Sequence, residues 1–152
     1  MVTGLFILAL VLPAEEGFDV DRLDICCPMN QSNAIKEYFE VQGYTQTKEE
    51  KSQNAKVPIN KLTILEKDGQ RVEIIMGSGH SPLQPFLHLH NTALMNYASS
   101  EGIFISYPEL TFQYHGIINP VKFRNSNVSI RMIRGLQHLQ VLGFRLLSST
   151  QS

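Results

Sequence analysis

The chain has 152 residues, a net charge of −1 at pH 7 and a hydrophobic fraction of 43%. This length fits one domain, and the apolar content is enough for a core, so the chain as a whole is not disordered. The near-neutral charge excludes a general attraction to nucleic acid or to an acidic membrane surface. We predict a single domain over residues 1–147 and a disordered tail over residues 148–152.

The first distinctive segment is an apolar run over residues 5–12, which is too short to span a bilayer. This run forms a buried first helix, or it is the core of a signal peptide over residues 1–14. No Lys or Arg precedes it, which favours the helix. Cys26 and Cys27 are adjacent and make a poor mutual disulfide, so we expect an intracellular, reducing location, with secretion as the alternative.

Four segments are predicted as strands, and together with flanking helices they indicate an α+β fold with a small mixed or antiparallel central sheet. These strands lie near residues 23–27, 62–67, 71–76 and 102–106. The second and third of them are expected to form a hairpin, because Asp68-Gly69 between them is the dipeptide that a type I′ turn favours.

Helical patterns occupy much of the remaining chain. The clearest helix is predicted over residues 32–42, where apolar residues recur at helical spacing and Gly43 follows. A further helix is predicted over residues 91–99, and one or two helices over residues 128–147. The charged segment over residues 48–56 has no apolar pattern and is predicted to be an exposed loop.

Two of the predicted strands carry a single acid inside an apolar run, Asp24 in the first and Glu73 in the third. An acid flanked by β-forming residues projects from one face of its strand. If the strands are neighbours, the two carboxylates form a site of the kind that binds a divalent cation such as Mg²⁺. The alternatives are an Asp24 that faces solvent or pairs with Arg22 or Arg71, and a Glu73 that points outward from a half-exposed hairpin.

The order of these residues resembles nucleotidyltransferase-like proteins of the polymerase-β superfold. The signature of that superfamily is a Gly-Ser step that opens a helix, a strand with Asp-x-Asp or Asp-x-Glu, and a third acid on a later strand. The corresponding segments are Val2-Thr3-Gly4-Leu5, Arg22-Leu23-Asp24 and Val72-Glu73-Ile74. The resemblance implies that Gly4 belongs to a nucleotide-binding site, and that Asp24 and Glu73 are ligands of Mg²⁺.

Further segments resemble a group of uncharacterised proteins from mushroom-forming fungi within this superfold. These segments are Ser81-Pro82-Leu83, His90-Asn91-Thr92-Ala93-Leu94-Met95-Asn96, Tyr107-Pro108-Glu109-Leu110-Thr111 and Ile133-Arg134-Gly135-Leu136. The resemblance therefore extends from residue 2 to residue 136, over most of the chain.

Two departures from the signature decide the functional expectation. Leu5 replaces the small polar residue, and Arg22 replaces the first metal-binding acid. Because the two acids of the signature strand hold the two Mg²⁺ ions, an arginine at position 22 removes a ligand. We expect a nucleotidyltransferase-fold domain with impaired catalysis that retains nucleotide or partner binding. The alternatives are an active Mg²⁺-dependent nucleotidyltransferase with non-standard ligands and a non-catalytic protein-interaction domain.

Overall fold

The computed structural model describes residues 1–13, 20–52, 58–120 and 130–148, with side chains from residue 132 onward in the last range. Within these ranges the chain forms nine strands, five α-helices and one 3₁₀ turn. In chain order these elements are β1 (Val2–Thr3), α1 (Leu5–Val11), β2 (Arg22–Cys27), α2 (Ser32–Val41), β3 (Thr45–Lys51), β4 (Ile59–Lys67), β5 (Gln70–Gly77), α3 (Leu83–Phe86), the 3₁₀ turn (Thr92–Leu94), β6 (Asn96–Ser99), β7 (Gly102–Ile105), α4 (Pro108–Phe112), β8 (His115–Ile118), α5 (Ile130–Val141) and β9 (Arg145–Ser148).

Seven of the strands form one mixed sheet in the order β3-β4-β5-β2-β1-β6-β7. β2 and β5 are parallel, and the other neighbouring strands of this sheet are antiparallel. β8 and β9 form a separate two-stranded parallel sheet. The predicted α+β class with a mixed central sheet is confirmed, and the four predicted strands are present as β2, β4, β5 and β7.

The β4–β5 hairpin brings Glu73 into the centre of the sheet. Asp68 and Gly69 have φ values of 49° and 80°, and a type I′ turn needs a positive φ at both central positions. The hairpin predicted from this dipeptide is confirmed, because the turn joins β4 directly to β5. Both strands are longer than expected, and their length extends the pairing well beyond the turn.

The central strands separate two chemically different faces of the sheet. Because side chains alternate along a strand, one face of β2 and β5 is apolar and packs against Ile35 and Phe39 of α2. The buried residues of this layer are Ile25, Cys27, Leu65, Val72, Ile74 and Met76. The opposite face carries the charged residues of β2 and β5 and an apolar cluster around Phe86. The candidate site therefore lies on the face away from α2.

α1 is part of a third apolar cluster. Ile7 and Leu8 are fully buried, and Leu8 packs with Leu139 and Phe144 from the C-terminal elements. The helix predicted over residues 5–12 is confirmed as α1, but only one side of it is buried, because Phe6 and Leu10 are 37% and 55% exposed. None of the helices in the described ranges is both long and apolar enough to cross a membrane.

The helix predicted over residues 91–99 is wrong. The chain forms the 3₁₀ turn there and then continues as β6, which pairs with β1. The side chain of Asn91 accepts a hydrogen bond from the Ala93 amide at 2.7 Å, and such a local bond favours a tight turn over a continuous helix. The side-chain amide of the buried Asn96 donates a hydrogen bond to the Ala93 carbonyl at 2.9 Å and fixes the start of β6.

The exposed loop predicted over residues 48–56 is wrong for its first part, because β3 continues to Lys51. β3 stands at one end of the strand order, so its backbone pairs with β4 while its charged side chains remain in water. Glu49 forms ion pairs with Lys51 at 2.9 Å and with Lys61 at 3.8 Å. Residues 53–57 of this prediction lie outside the described residues.

The C-terminal segment predicted as one or two helices over residues 128–147 contains, in its described part, one helix and one strand. Gly143 follows α5 with a φ of 89°, a left-handed conformation that ends helices. β9 then pairs in parallel with β8. Ser148 of the tail predicted over residues 148–152 belongs to β9, and residues 149–152 lie outside the described residues.

Candidate functional site

β2 and β5 carry the same short pattern at the same position in the sheet. Arg22-Leu23-Asp24 lies on β2, and Arg71-Val72-Glu73 lies on β5. The register pairs the two arginines with each other and the two acids with each other. Register partners on neighbouring strands project from the same face, and their backbones lie about 4.8 Å apart. The two acids that were expected to converge on one sheet surface therefore stand side by side.

We call Arg22, Asp24, Arg71 and Glu73 the charge quartet. Arg22 Nε lies 3.0 Å from Asp24 Oδ1, and Arg22 Nη2 donates to Asp24 Oδ2 at 3.2 Å. Arg71 Nη2 lies 2.9 Å from Glu73 Oε1. Each arginine precedes its acid by two residues, so the partners share a face of their own strand.

The carboxylates of the charge quartet are buried, whereas the arginines remain partly accessible. Asp24 is 7% exposed and Glu73 is 0% exposed. The side chains of Arg22 and Arg71 are 27% and 38% exposed. A buried carboxylate is costly unless it is paired, so the two guanidinium groups compensate the two acids. The four formal charges of the quartet sum to zero.

Gly4 lies directly against the carboxylate of Asp24. Its φ of 79° and ψ of −151° are a combination that glycine adopts and other residues avoid. A Cβ atom on Gly4 would overlap Asp24 Oδ2 and would lie 3.3 Å from Asp24 Cγ. Gly4 also precedes the first residue of α1. The three predicted site residues, Gly4, Asp24 and Glu73, thus form one contiguous group.

Thr3 is a neighbour of this group that sequence analysis misses. It is the register partner of Asp24 on β1 and is fully buried. Its hydroxyl donates to the Asn96 carbonyl at 2.7 Å, with the Leu94 carbonyl at 3.1 Å. These contacts tie β1 to the start of β6. A strand of two residues is too short for a periodic pattern, so no sequence signal marks Thr3.

The pairing of Arg71 with Glu73 is also missed by sequence analysis, which offers Arg71 only as a partner of Asp24. The alternative of a Glu73 that points outward is wrong, because this residue is 0% exposed. The alternative of an Asp24 paired with Arg22 is the arrangement that the structure contains. The repeated Arg-apolar-acid pattern is the signal that could identify both pairs, since alternate residues of a strand share a face.

A cleft of about 490 Å³ adjoins the charge quartet at Arg71. The residues that line it are Asp21, Glu66, Lys67, Asp68, Gly69 and Arg71. The Arg71 amide donates to the Asp21 carbonyl at 2.8 Å and joins the cleft to the start of β2. Three acids and two bases give this lining a net negative charge, so the cleft does not favour a phosphate group.

Cys26 follows Asp24 by two residues and shares its face of β2. Burial, and to a lesser extent the charge of Asp24, raises the pKa of Cys26 to about 12. Burial raises the pKa of Cys27 to about 11. Both thiols are therefore protonated at neutral pH, and a protonated thiol is a poor nucleophile and a poor metal ligand.

The side chains of the site do not fit the Mg²⁺ ions that the resemblance implies. Mg²⁺ binds to carboxylate oxygens, but Arg22 contacts both carboxylate oxygens of Asp24, and Arg71 contacts Glu73. The guanidinium groups already neutralise the negative charge that would attract a cation. Among the residues that the structure describes, no group of three or more His, Cys, Asp or Glu side chains is placed to hold a metal.

No family model, no curated protein and no solved structure matches the chain. The resemblance to nucleotidyltransferase-like proteins therefore stays a prediction from the motifs in the sequence. What the protein does has to be inferred from the chemistry of its own residues.

Proposed function

We propose that the chain is a nucleotidyltransferase-fold domain that does not transfer nucleotides and that retains a binding role. The observation that carries the proposal is the position of Arg22. This residue stands where the signature has its first acid, and it contacts both carboxylate oxygens of Asp24. The ligand in the retained role is a nucleotide, or else a protein partner.

Three structural relations support the nucleotidyltransferase fold. Gly4 opens α1 against the strand that carries Asp24. Glu73, which stands at the third-acid position, lies on the neighbouring strand in register with Asp24. These two strands are parallel, and the chain passes between them through α2 and the first part of the β3–β4–β5 meander. The resemblance implies the same relations among a glycine, a strand acid and a third acid.

The loss of transfer activity follows from the chemistry of arginine. Nucleotidyl transfer depends on divalent cations that activate the attacking hydroxyl and neutralise the phosphates. A guanidinium group supplies positive charge and hydrogen-bond donors, but it cannot coordinate a hydroxyl and lower its pKa. With Arg22 paired to Asp24, the positive charge of the guanidinium group is balanced by the carboxylate, and the site lacks a means of generating the nucleophile.

The proposal is tested by calorimetry on the whole chain with the four ribonucleoside triphosphates, in Mg²⁺ and in EDTA. We expect at least one nucleotide to bind with the same affinity in both buffers, because the counter-charges of the site are arginines. We also expect no transfer of radiolabelled nucleotide to water or to a protein acceptor. Mg²⁺-dependent transfer by the wild type would contradict the proposal and favour an active enzyme, provided that Asp24→Asn abolishes the transfer. The control Glu101→Gln changes an exposed acid and should preserve any such transfer.

A second experiment restores the two departures from the signature. The double variant Arg22→Asp with Leu5→Ser is expected to gain Mg²⁺-dependent ATP binding, whereas Leu5→Ser alone is not. Absence of this gain in a double variant that folds, as judged by circular dichroism, counts against the nucleotidyltransferase origin of the site. Nucleotide binding by the double variant but not by the wild type indicates that the retained role is toward a protein partner.

We also infer an intracellular location. Cys26 and Cys27 are both free and buried, and free thiols are typical of reducing compartments. The segment Asn30-Gln31-Ser32 matches an N-glycosylation acceptor. A glycan on Asn30 in protein purified from its natural cells would therefore contradict this location.

A further inference from the structure

The arginines of the charge quartet support a further inference about the same site. We infer that Arg22 and Arg71 are permanent counter-cations that take the place of divalent metal ions, and that removing one guanidinium group exposes a cation site. The inference rests on the proposed function for the assignment of the site. The role of the arginines as counter-cations rests on the geometry of the charge quartet.

The parallel pairing of β2 and β5 places like charges next to each other. In an antiparallel pair, two Arg-x-acid segments in register would place each acid beside an arginine of the neighbouring strand. In a parallel pair, like residues stand together, and the register of β2 and β5 has acid beside acid and arginine beside arginine. Each acid has an arginine of its own strand within 3.0 Å.

Asp24 and Glu73 form a like-charge pair in a buried position. Proteins accommodate such a pair by a bound cation, by a shared proton or by neighbouring positive side chains. In this chain Arg22 lies 3.0 Å from Asp24, and Arg71 lies 2.9 Å from Glu73. Each carboxylate thus has a positive group at the distance of a charge-assisted hydrogen bond, which is the third of these solutions.

The charge quartet differs from the ion pairs on the surface of the protein. The side chains of Lys51 and Glu49 on β3 are 71% and 27% exposed, so loss of either partner leaves a hydrated group. Removal of the Arg22 guanidinium instead leaves a gap beside two adjacent buried acids. Solvent can reach this gap, because the side chain of Arg22 is itself 27% exposed. Two carboxylates around a solvent-accessible gap form a binding site for a small divalent cation.

The inference is tested by titrating Mn²⁺ alone into the full chain. Binding is measured by calorimetry and by the loss of the electron paramagnetic resonance signal of free Mn²⁺. The wild type is expected to show no binding at millimolar Mn²⁺. Arg22→Ser is expected to bind Mn²⁺ at least about tenfold more tightly than the wild type. The double variant Arg22→Ser with Asp24→Asn should lose this gain. The matched control Arg145→Ser removes an exposed arginine of β9 and should leave Mn²⁺ binding unchanged.

Two results would overturn the inference. The first is Mn²⁺ binding by the wild type without nucleotide, a measurement that depends on no variant. The second is an Arg22→Ser protein that folds but binds Mn²⁺ no more tightly than the wild type. If Arg22→Ser does not fold, Arg71→Ser replaces it in the test, because the Arg71 side chain is the more exposed of the two. A wild type that binds neither nucleotide nor Mn²⁺ limits the proposed function to a protein partner and agrees with this inference, so the two can fail separately.

Discussion

Gly4→Ala is expected to disturb the candidate site, because a methyl group there meets the carboxylate of Asp24. An alanine with the φ of 79° and ψ of −151° found at Gly4 costs about 1–3 kcal/mol in backbone strain. The new Cβ would also overlap Asp24 Oδ2 and lie 3.3 Å from Asp24 Cγ, so the carboxylate has to move. Weakening the contact of this buried carboxylate with Arg22 adds about 1–3 kcal/mol. We expect the free energy of unfolding to fall by about 2–6 kcal/mol in total.

Urea unfolding followed by far-UV circular dichroism measures this loss, and two other glycines with a positive φ supply controls without a collision. Gly69 has a φ of 80° with nothing within 4 Å of an added Cβ, and Gly43 has a φ of 89° with only the flexible Lys67 side chain at 3.5 Å. Alanine at either position reports the strain of a positive φ without a collision, about 1–2 kcal/mol. Gly4→Ala should exceed both controls by at least about 1 kcal/mol.

Equal losses for the three alanine variants would refute the close approach of Gly4 to Asp24. A double-mutant cycle gives an independent measurement, because coupling is confined to groups in contact. In an Asp24→Ala background the collision is absent, so the cost of Gly4→Ala should shrink to that of backbone strain. An unchanged cost in this background would show that the carboxylate is not what the new methyl group meets.

Three further outcomes are expected from the same unfolding assay. Arg71→Gln should lower the free energy of unfolding by about 3–5 kcal/mol, because it removes a counter-charge from a buried carboxylate. Glu73→Gln should cost less, because the Arg71 side chain is already 38% exposed and can turn to water. The reverse order would contradict the charge balance described above. Leu139→Ala, at a position that is 0% exposed, should cost about 2–5 kcal/mol, while Val141→Ala, at a position that is 86% exposed, should cost almost nothing. The pKa of Cys26 is about 12 in the folded chain against 9.0 for the unfolded thiol, so the unfolded state loses its proton first. The free energy of unfolding should therefore fall as the pH rises above 9, by up to about 1.4 kcal/mol per pH unit. Cys26→Ala should flatten this pH dependence, and equal slopes for the two proteins would argue against the raised pKa.

The parts of the fold that the sequence predicts correctly are governed by neighbouring residues. Asp68-Gly69 determines its own turn through two positive φ values, and α2 shows its apolar spacing within one segment. β6 is different, because it is a strand only by virtue of its pairing with β1 and β7. The charged part of β3, from Lys48 onward, resembles a loop in the sequence, since an edge strand can leave its charged side chains in water.

The candidate site is predicted in part for a related reason. Each acid can be recognised within its own strand, because a single acid among β-forming residues interrupts an apolar run. Whether Asp24 and Glu73 meet depends on strand order, direction and register, and these arise only when the whole sheet forms. Arg71 and Glu73 lie two residues apart on β5, so their pairing needs only the alternation of side chains along one strand, and the Arg-apolar-acid pattern is the signal for it.

The separation of β2 and β5 along the chain has a consequence for how the protein folds. α2, β3 and β4 lie between these strands, so their alignment is a long-range event with shifted alternatives. A slip of one residue would rotate every side chain of the slipped strand to its other face. An arginine and an acid would then press into the apolar layer against Ile35 and Phe39. Burial of these charged side chains among apolar ones is unfavourable, so the charges that neutralise one another in the native protein also disfavour a misaligned pairing of β2 and β5.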